Sequence, residues 1–141
     1  MFDLLLDRKS KRGTAFSPRN LGVLIRAAIR EAEMTLRADL LDAWGSKRRG
    51  PASLFYSLEE SHVRVETWPE HSHVQGEVQL CNFTRDNSRA TRHLAEIIIK
   101  ALNPANMQLL VIMRGPGENL TPVELVTHER GSFVVARRYP S

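Results

Sequence analysis

The sequence predicts one α+β domain over residues 1–141, an antiparallel sheet with two helices packed on one face. Two stretches carry apolar residues at helical spacing, from Leu21 to Leu36 and from Ala90 to Ala101. Other apolar stretches alternate with polar residues at the period of two that marks a half-buried strand. Strands with only two interspersed helices favour an α+β sandwich over a regular βαβ order. The length suits a single core, and we find no repeat or second domain.

In the first half of the chain, serine and proline set the element boundaries. Ser17 can cap a helix that has Pro18 at its first position, and Pro69 ends the strand that precedes it. Within that strand, Val63 and Val65 alternate with polar neighbours. The predicted elements are a strand at Phe2–Leu6, a helix from Pro18 to about Leu36, a weaker strand at Asp39–Trp44, and strands at Ser53–Leu58 and His62–Thr67.

In the second half, the strand predicted at Val74–Cys81 has an informative parity. Cys81 falls in phase with the polar residues Gln79 and Glu77 rather than with the apolar face. Cysteine usually behaves as a small buried hydrophobe, so this one is not simply filling the core. The remaining predicted elements are a helix at Ser88–Leu102, a strand at Met107–Met113, and a terminal hairpin of Pro122–Thr127 and Phe133–Arg138 around Glu129-Arg130-Gly131.

Composition excludes several classes of protein. An apolar content of 42% and a charged content of 26% are ordinary for a soluble globular domain. The longest apolar runs are too short to span a bilayer, and acids at Asp3 and Asp7 argue against a signal peptide. The lone cysteine can form no internal disulfide. We therefore expect a cytoplasmic protein that does not act on a membrane.

The net charge of +4 is accompanied by two basic clusters, Lys9–Arg12 and Lys47–Arg49. Such clusters can mark a nucleic-acid surface, but neither is interleaved with the aromatic residues that single-strand binders use. Solvated loops are favoured, with a polyanion site as the alternative, and we expect no nucleic-acid partner. His71 and His73 alternate as a metal pair would, yet no third ligand is evident, so no metal site is predicted.

The chemistry-bearing residues are concentrated in one short stretch. Glu59-Glu60-Ser61-His62 is followed by Glu66-Thr67-Trp68-Pro69-Glu70 and then by Cys81. Their order and gaps resemble the self-cleaving site of S-adenosylmethionine decarboxylase proenzymes of the bacterial and archaeal type. The likeness is strongest from Ser53 to Cys81, weak before Trp44 and absent at the C-terminal end.

This resemblance implies a pyruvoyl cofactor made from the chain itself. Decarboxylating an α-amino acid requires an electron sink, which enzymes provide with a carbonyl cofactor that forms a Schiff base with the substrate amine. The chain has no glycine-rich loop leading into a helix to hold the phosphate of pyridoxal phosphate. In the route that the resemblance implies, the Ser61 hydroxyl attacks the carbonyl carbon of Glu60. The chain then splits between residues 60 and 61, and Ser61 becomes the pyruvoyl group.

The resemblance also implies roles for neighbouring residues. Cys81 would return a proton to the substrate carbon after decarboxylation, and Ser53 would assist processing. Glu70 matches a position that the family keeps, and His62 would shape the junction beside the substrate. Phe55, Tyr56 and Trp68 are candidates for stacking on the nucleoside of the substrate. The family likeness further suggests a homodimer of cleaved protomers in which sheet faces or edges meet.

One position departs from the family pattern. Where the family has a histidine that supplies a proton during self-cleavage, this chain has Glu66. An ionised carboxylate accepts protons and cannot donate one. Glu66 could donate only if burial or a neighbouring acid such as Glu70 or Glu77 kept it protonated. Three outcomes stay open: Glu66 processes the chain as an acid, another group does so, or the chain never cleaves.

Together these features predict a self-processing pyruvoyl-dependent decarboxylase of polyamine biosynthesis, with S-adenosylmethionine as the leading substrate. The alternative substrates are arginine and ornithine, because a carboxylate near the site suits any of these cations. A third alternative, from a different class, is an uncleaved and inactive homologue that acts as a binding or regulatory protein.

Overall fold

The computed structural model describes residues 1–7, 16–44, 50–82, 86–113, 121–129 and 132–139; within them, eight strands form one antiparallel sheet with two helices. The elements are β1 (Phe2–Leu5), α1 (Pro18–Glu31), β2 (Leu36–Ala43), β3 (Ala52–Leu58), β4 (Ser61–Trp68), β5 (His73–Leu80), α2 (Ser88–Leu102), β6 (Asn106–Met113), β7 (Thr121–Glu129) and β8 (Ser132–Arg138). The strand order is β2-β3-β4-β5-β1-β6-β7-β8. The first strand therefore lies between β5 and β6 and joins the two halves of the sheet.

Both helices cover one face of the sheet, which confirms the predicted α+β class. α1 packs on β2 and β3, α2 packs on β5, and the helices contact each other. Their buried residues recur at helical spacing, including Leu21, Ile25, Ile29, Leu94 and Ile98. The opposite face of the sheet has no helix against it among the described residues, and we call it the open face.

The predicted bounds of α2 are confirmed, whereas the predicted end of α1 is wrong. The Ser17 hydroxyl accepts from the N–H of Asn20, so the predicted cap is present. The helix ends at Glu31 because Glu33 adopts a left-handed φ of 57°. The N–H groups of Glu33 and Met34 bond to the carbonyls of Arg30 and Ile29, which closes the helix in a Schellman pattern. That pattern normally uses glycine, so the sequence does not signal it.

The strands match their predicted positions with small changes. β1 ends at Leu5, one residue early, and β5 ends at Leu80, so that Cys81 directly follows the strand. β2 begins at Leu36, three residues before its predicted start, where the sequence pattern continued the helix. The basic clusters Lys9–Arg12 and Lys47–Arg49 lie outside the described residues, as does part of the turn of the terminal hairpin.

The core depends on one close approach at the centre of the sheet. The strand register aligns a row of residues beneath the helices: Leu54, Val65, Gly76, Phe2, Leu109 and Val126. The Phe2 ring lies over Gly76, where a Cβ atom would come within 2.1 Å of a ring carbon. Phe2 is 1% exposed, so its ring has little room to move away.

We expect Gly76→Ala to destabilise the protein, because the added methyl group would force Phe2 out of its packing. Overpacking of this kind costs about 1–3 kcal/mol. Denaturant unfolding measures the loss, with Gln75→Ala as a control because Gln75 is exposed on the open face of the same strand. Equal stability of Gly76→Ala and the wild type would contradict the packing of Phe2 over this position.

Candidate functional site

The Glu60–Ser61 peptide bond lies in the tight turn between β3 and β4. Leu58 pairs with Ser61, which leaves Glu59 and Glu60 as a two-residue loop. Ser61 has a φ of 148°, in a region that residues with a side chain rarely adopt. Such a backbone conformation costs about 1–3 kcal/mol and persists only where its surroundings hold it. The peptide bond at which cleavage was predicted therefore adjoins a strained residue.

Cys81 is tied to this turn by its backbone. Its N–H donates to the carbonyl oxygen of Glu60 at 2.9 Å, and its own carbonyl accepts from the side-chain amide of Asn87 at 2.6 Å. Asn87 is buried at the start of α2 and its backbone N–H bonds to the Asn82 side chain. The cysteine is therefore held beside the predicted cleavage bond, and its side chain is half-buried.

The segment between α1 and β2 holds the other side of the turn. The carbonyl of Thr35 accepts from the N–H of Glu59 at 2.9 Å, and its N–H donates to the Glu60 carboxylate at 3.3 Å. Arg37 lies 3.9 Å from the Glu59 carboxylate. Two hydrogen bonds from one residue thus fix both turn positions. Neither was predicted, because they join segments about 25 residues apart in sequence.

His62 and Phe55 complete this end of the open face. The Ser61 hydroxyl oxygen is 3.2 Å from Nδ1 of His62. The His62 ring stacks on Phe55, with ring centroids 5.4 Å apart and planes inclined by 26°. Phe55 is 39% exposed, so it presents part of its ring to the open face. The structure thus brings together five of the predicted site residues: Glu60, Ser61, His62, Phe55 and Cys81.

Ser53 and Glu66 form a second polar group farther along the same strands. They are register partners on β3 and β4, and the Ser53 hydroxyl donates to Glu66 at 3.4 Å. The guanidinium of Arg64 lies 3.8 Å from the same carboxylate. Glu66 lies five positions after Ser61 along β4, about 16 Å for an extended strand. Within one chain, Ser53 and Glu66 therefore do not reach Ser61.

The predicted aromatic residues divide among three environments. Trp68 lies at the far end of β4 and packs edge-on against Trp44, with ring centroids 6.4 Å apart. The prediction that Tyr56 could stack on the nucleoside is wrong, because its side chain points to the helix side of the sheet and is 1% exposed. Its hydroxyl donates to the carbonyl of Gly22, and burial raises the pKa of Tyr56 to about 12. Of these three residues, Phe55 is the one that stacks on His62, the neighbour of Ser61.

Glu70 lies in the 3-10 turn Pro69–His71 that follows β4, and its side chain is exposed. It is thus beyond Trp68 and at the opposite end of the strand from Ser61. Of the two histidines considered as a metal pair, His73 instead bonds to Asp3 through Nε2 at 3.1 Å. In the described part of the chain, no three histidine, cysteine or acidic residues lie together as a metal site would require.

Comparisons with known proteins agree with the fold and indicate the family. The family model described as S-adenosylmethionine decarboxylase matches residues 11–115, which is more than half of the chain. The S-adenosylmethionine decarboxylase proenzyme of Sulfurihydrogenibium is 36% identical over 58 residues, 41% of this chain and 41% of the relative. That of Aeropyrum pernix is 34% identical over 92 residues, 65% of each chain.

A solved structure shows the same architecture. The crystal structure of the adenosylmethionine decarboxylase from Aquifex aeolicus aligns with 99% of this chain and 92% of its own, with a TM-score of 0.61 and 20% sequence identity. At that identity the match establishes the fold. The chain belongs to the S-adenosylmethionine decarboxylase family, as the extent of the family match shows. It matches 41% of the length of the first relatives compared.

No helix among the described residues is both long enough and apolar enough to cross a membrane.

Proposed function

We propose that this chain is the precursor of a self-processing pyruvoyl-dependent decarboxylase of polyamine biosynthesis, a single domain that acts on S-adenosylmethionine in the cytoplasm. The observation that carries the proposal is the meeting of the Glu60 carbonyl, the Ser61 hydroxyl and Cys81 at one strained turn. Family membership and the printed names of the relatives support the substrate class. The lone cysteine agrees with a reducing compartment.

The turn favours attack of Ser61 on its own peptide bond. The Ser61 hydroxyl adds to the Glu60 carbonyl carbon, and the oxygen of that carbonyl takes up negative charge. The N–H of Cys81, already 2.9 Å from this oxygen, stabilises the charge as an oxyanion-hole donor does. Rupture of the C–N bond also releases the constraint on φ of Ser61. The resulting ester joins residues 1–60 to Oγ of Ser61, and β-elimination then removes the Cα proton and breaks the Cβ–O bond, so that residues 1–60 leave with a terminal carboxylate. Water hydrolyses the enamine that remains at residue 61, which releases ammonia and leaves a ketone at the start of the second fragment.

The residues around Ser61 fit a pyruvoyl group derived from it. This group supplies an electron-withdrawing carbonyl that accepts the electron pair left when carbon dioxide departs. Cys81 is held beside this position by its backbone and is half-buried, as a proton donor to the substrate carbon should be. A thiol carries a proton that it can donate, which suits that role.

Phe55 and His62 provide the aromatic surface on which the nucleoside of S-adenosylmethionine can stack. A second candidate keeps the pyruvoyl chemistry but uses arginine or ornithine. The observation that favours it is Glu66, a carboxylate on the open face that can pair with a cationic side chain and that replaces the histidine of the family pattern. Comparison of carbon dioxide release from the three compounds distinguishes these candidates.

The distance between the two polar groups supports a homodimer. Ser53 and Glu66 lie about 16 Å from Ser61 along their own sheet, so they can assist its chemistry only from a second copy. The open face also carries five of the exposed large apolar side chains, which is typical of an interaction surface: Met1, Leu5, Leu40, Phe55 and Val134. We propose that two open faces pack together, which brings Glu66 and Trp68 of a second copy toward Ser61.

Cleavage is tested by the intact mass of freshly made and incubated protein. We expect two fragments that meet between residues 60 and 61, and a Ser61→Ala variant that stays intact because it has no nucleophile. Ser57→Ala, which removes a hydroxyl four residues earlier, serves as the control and should cleave. A wild-type chain that persists as a single 16.0 kDa species would instead support the uncleaved, inactive homologue.

Replacement of Cys81 by alanine separates maturation from turnover. The variant keeps the backbone N–H that contacts Glu60, so cleavage should proceed, while loss of the thiol should lower turnover by about 100-fold or more. Fragment yield and carbon dioxide release are measured on the same sample. Wild-type turnover in Cys81→Ala would reject the proton-donor role. If fully cleaved wild type releases no carbon dioxide from any of the three substrates, the proposed decarboxylase activity is rejected.

A pair of lysine substitutions tests the dimer. Leu40 on the open face and Val23 on α1 are 64% and 61% exposed, so neither substitution should disturb the fold of one chain. We expect Leu40→Lys to shift the protein from dimer to monomer in sedimentation equilibrium, because it buries a charge between the sheets. Val23→Lys should remain dimeric. A monomeric wild type, or a dimer equally sensitive to both changes, contradicts packing through the open face.

A further inference from the structure

The contact between Ser61 and His62 is unusual for neighbouring residues of a strand. Successive side chains in a strand point to opposite faces, so adjacent side chains seldom touch. Here the hydroxyl oxygen of Ser61 is 3.2 Å from Nδ1 of His62, within hydrogen-bonding distance. The exceptional φ of Ser61, 148°, accompanies this contact at the first residue of β4. The strained residue therefore has a basic nitrogen beside its hydroxyl.

Phe55 holds the imidazole in this position. Its ring stacks on His62 at 5.4 Å from the neighbouring strand, which limits rotation of the histidine side chain. The register places Ser57 and Gln79 on either side of His62, and both are uncharged. Farther along the open face are the charged pair Arg64 and Glu77, while Cys81 and the acids of the turn, Glu59 and Glu60, lie near Ser61.

The position of Glu66 makes this contact more important. The family pattern assigns proton transfer during cleavage to the residue at this position, but a carboxylate stands there and bonds to Ser53. It lies about 16 Å from the Ser61 of its own chain. His62, in contrast, already touches the nucleophile without help from a second copy.

We propose that His62 is the proton carrier of self-cleavage in this chain, a role that rests on the proposed function. Neutral His62 accepts the hydroxyl proton of Ser61 at Nδ1 as Oγ forms a bond to the Glu60 carbonyl carbon. The electron pair of the C=O bond moves to the oxygen, which is bonded to the N–H of Cys81. The imidazolium then returns the proton to the Ser61 nitrogen, the C–N bond breaks, and an ester replaces the amide. No further reactant is consumed in this step.

Phe55 acts as a positioning residue in this scheme, because it touches His62 and not the reacting atoms. The tautomer follows from the same geometry: Nδ1 must be unprotonated to accept, so the proton of neutral His62 is on Nε2. Protonation of the ring removes the acceptor. The rate of cleavage should therefore be low where the ring is protonated, rise with pH and then level off.

The test follows fragment formation by intact mass in His62→Gln, His62→Ala and the control His71→Gln, after circular dichroism confirms folding. His71 is exposed in the turn after β4 and away from Ser61. We expect cleavage to slow by about 100-fold or more in both His62 variants and to match the wild type in the control. Added imidazole should restore part of the rate in His62→Ala.

Several results would overturn the role of His62. Wild-type cleavage by His62→Gln would do so directly, and so would slow cleavage in folded His62→Ala that imidazole leaves unchanged, since the loss would then be structural. A wild-type rate that falls as pH rises would instead indicate a protonated carboxyl group such as Glu66 as the donor. If the wild type never cleaves, the proposed function fails as well. If the wild type cleaves and the His62 variants cleave equally fast, the role of His62 fails and the proposed function stands.

Discussion

The hydrogen bond from the N–H of Cys81 to the carbonyl oxygen of Glu60 is the constraint on which the site depends. It ties the residue that follows β5 to the turn between β3 and β4, and it continues a pair of strands whose register is fixed by the buried row beneath the helices. The backbone of Cys81 and the peptide bond at which cleavage is proposed are therefore adjacent before any chemistry begins. Preorganisation of this kind avoids the cost of reorienting dipoles as charge develops.

Sheet geometry also places residues that are close together in the sequence motif at opposite ends of β4. Ser61 and His62 lie at one end of β4, while Glu66 and Trp68 lie toward the other. A paired strand is stiff and extended, so no local bending brings these ends together. The first polar group, around Ser61, contains the proposed nucleophile, base and oxyanion donor on one chain. The second gains a role only through contact between two open faces, which makes assembly part of the proposed chemistry.

Local periodicity predicted most of the fold. It failed where an element ends at an unusual backbone conformation, and where a contact joins residues that are distant in sequence. The apolar spacing of α2 and the parity of β5 gave their positions and placed Cys81 off the core face. The end of α1 was missed because a glutamate, Glu33, takes the left-handed position that glycine usually occupies. The prediction of β2 was weak because its side chains are almost all exposed, so buried and exposed residues do not alternate along it. The bonds from Thr35 and Cys81 to the turn depend on tertiary packing that short-range pattern does not contain.

The most direct measurement is the mass of the fragment that begins at residue 61, before and after treatment with a reagent for carbonyl groups. We expect a fragment lighter by one ammonia than the same peptide with a serine terminus, and one reagent added per fragment. An unbroken chain, or a fragment that ends in serine and does not react, would contradict the conversion of Ser61 on which the proposed activity rests.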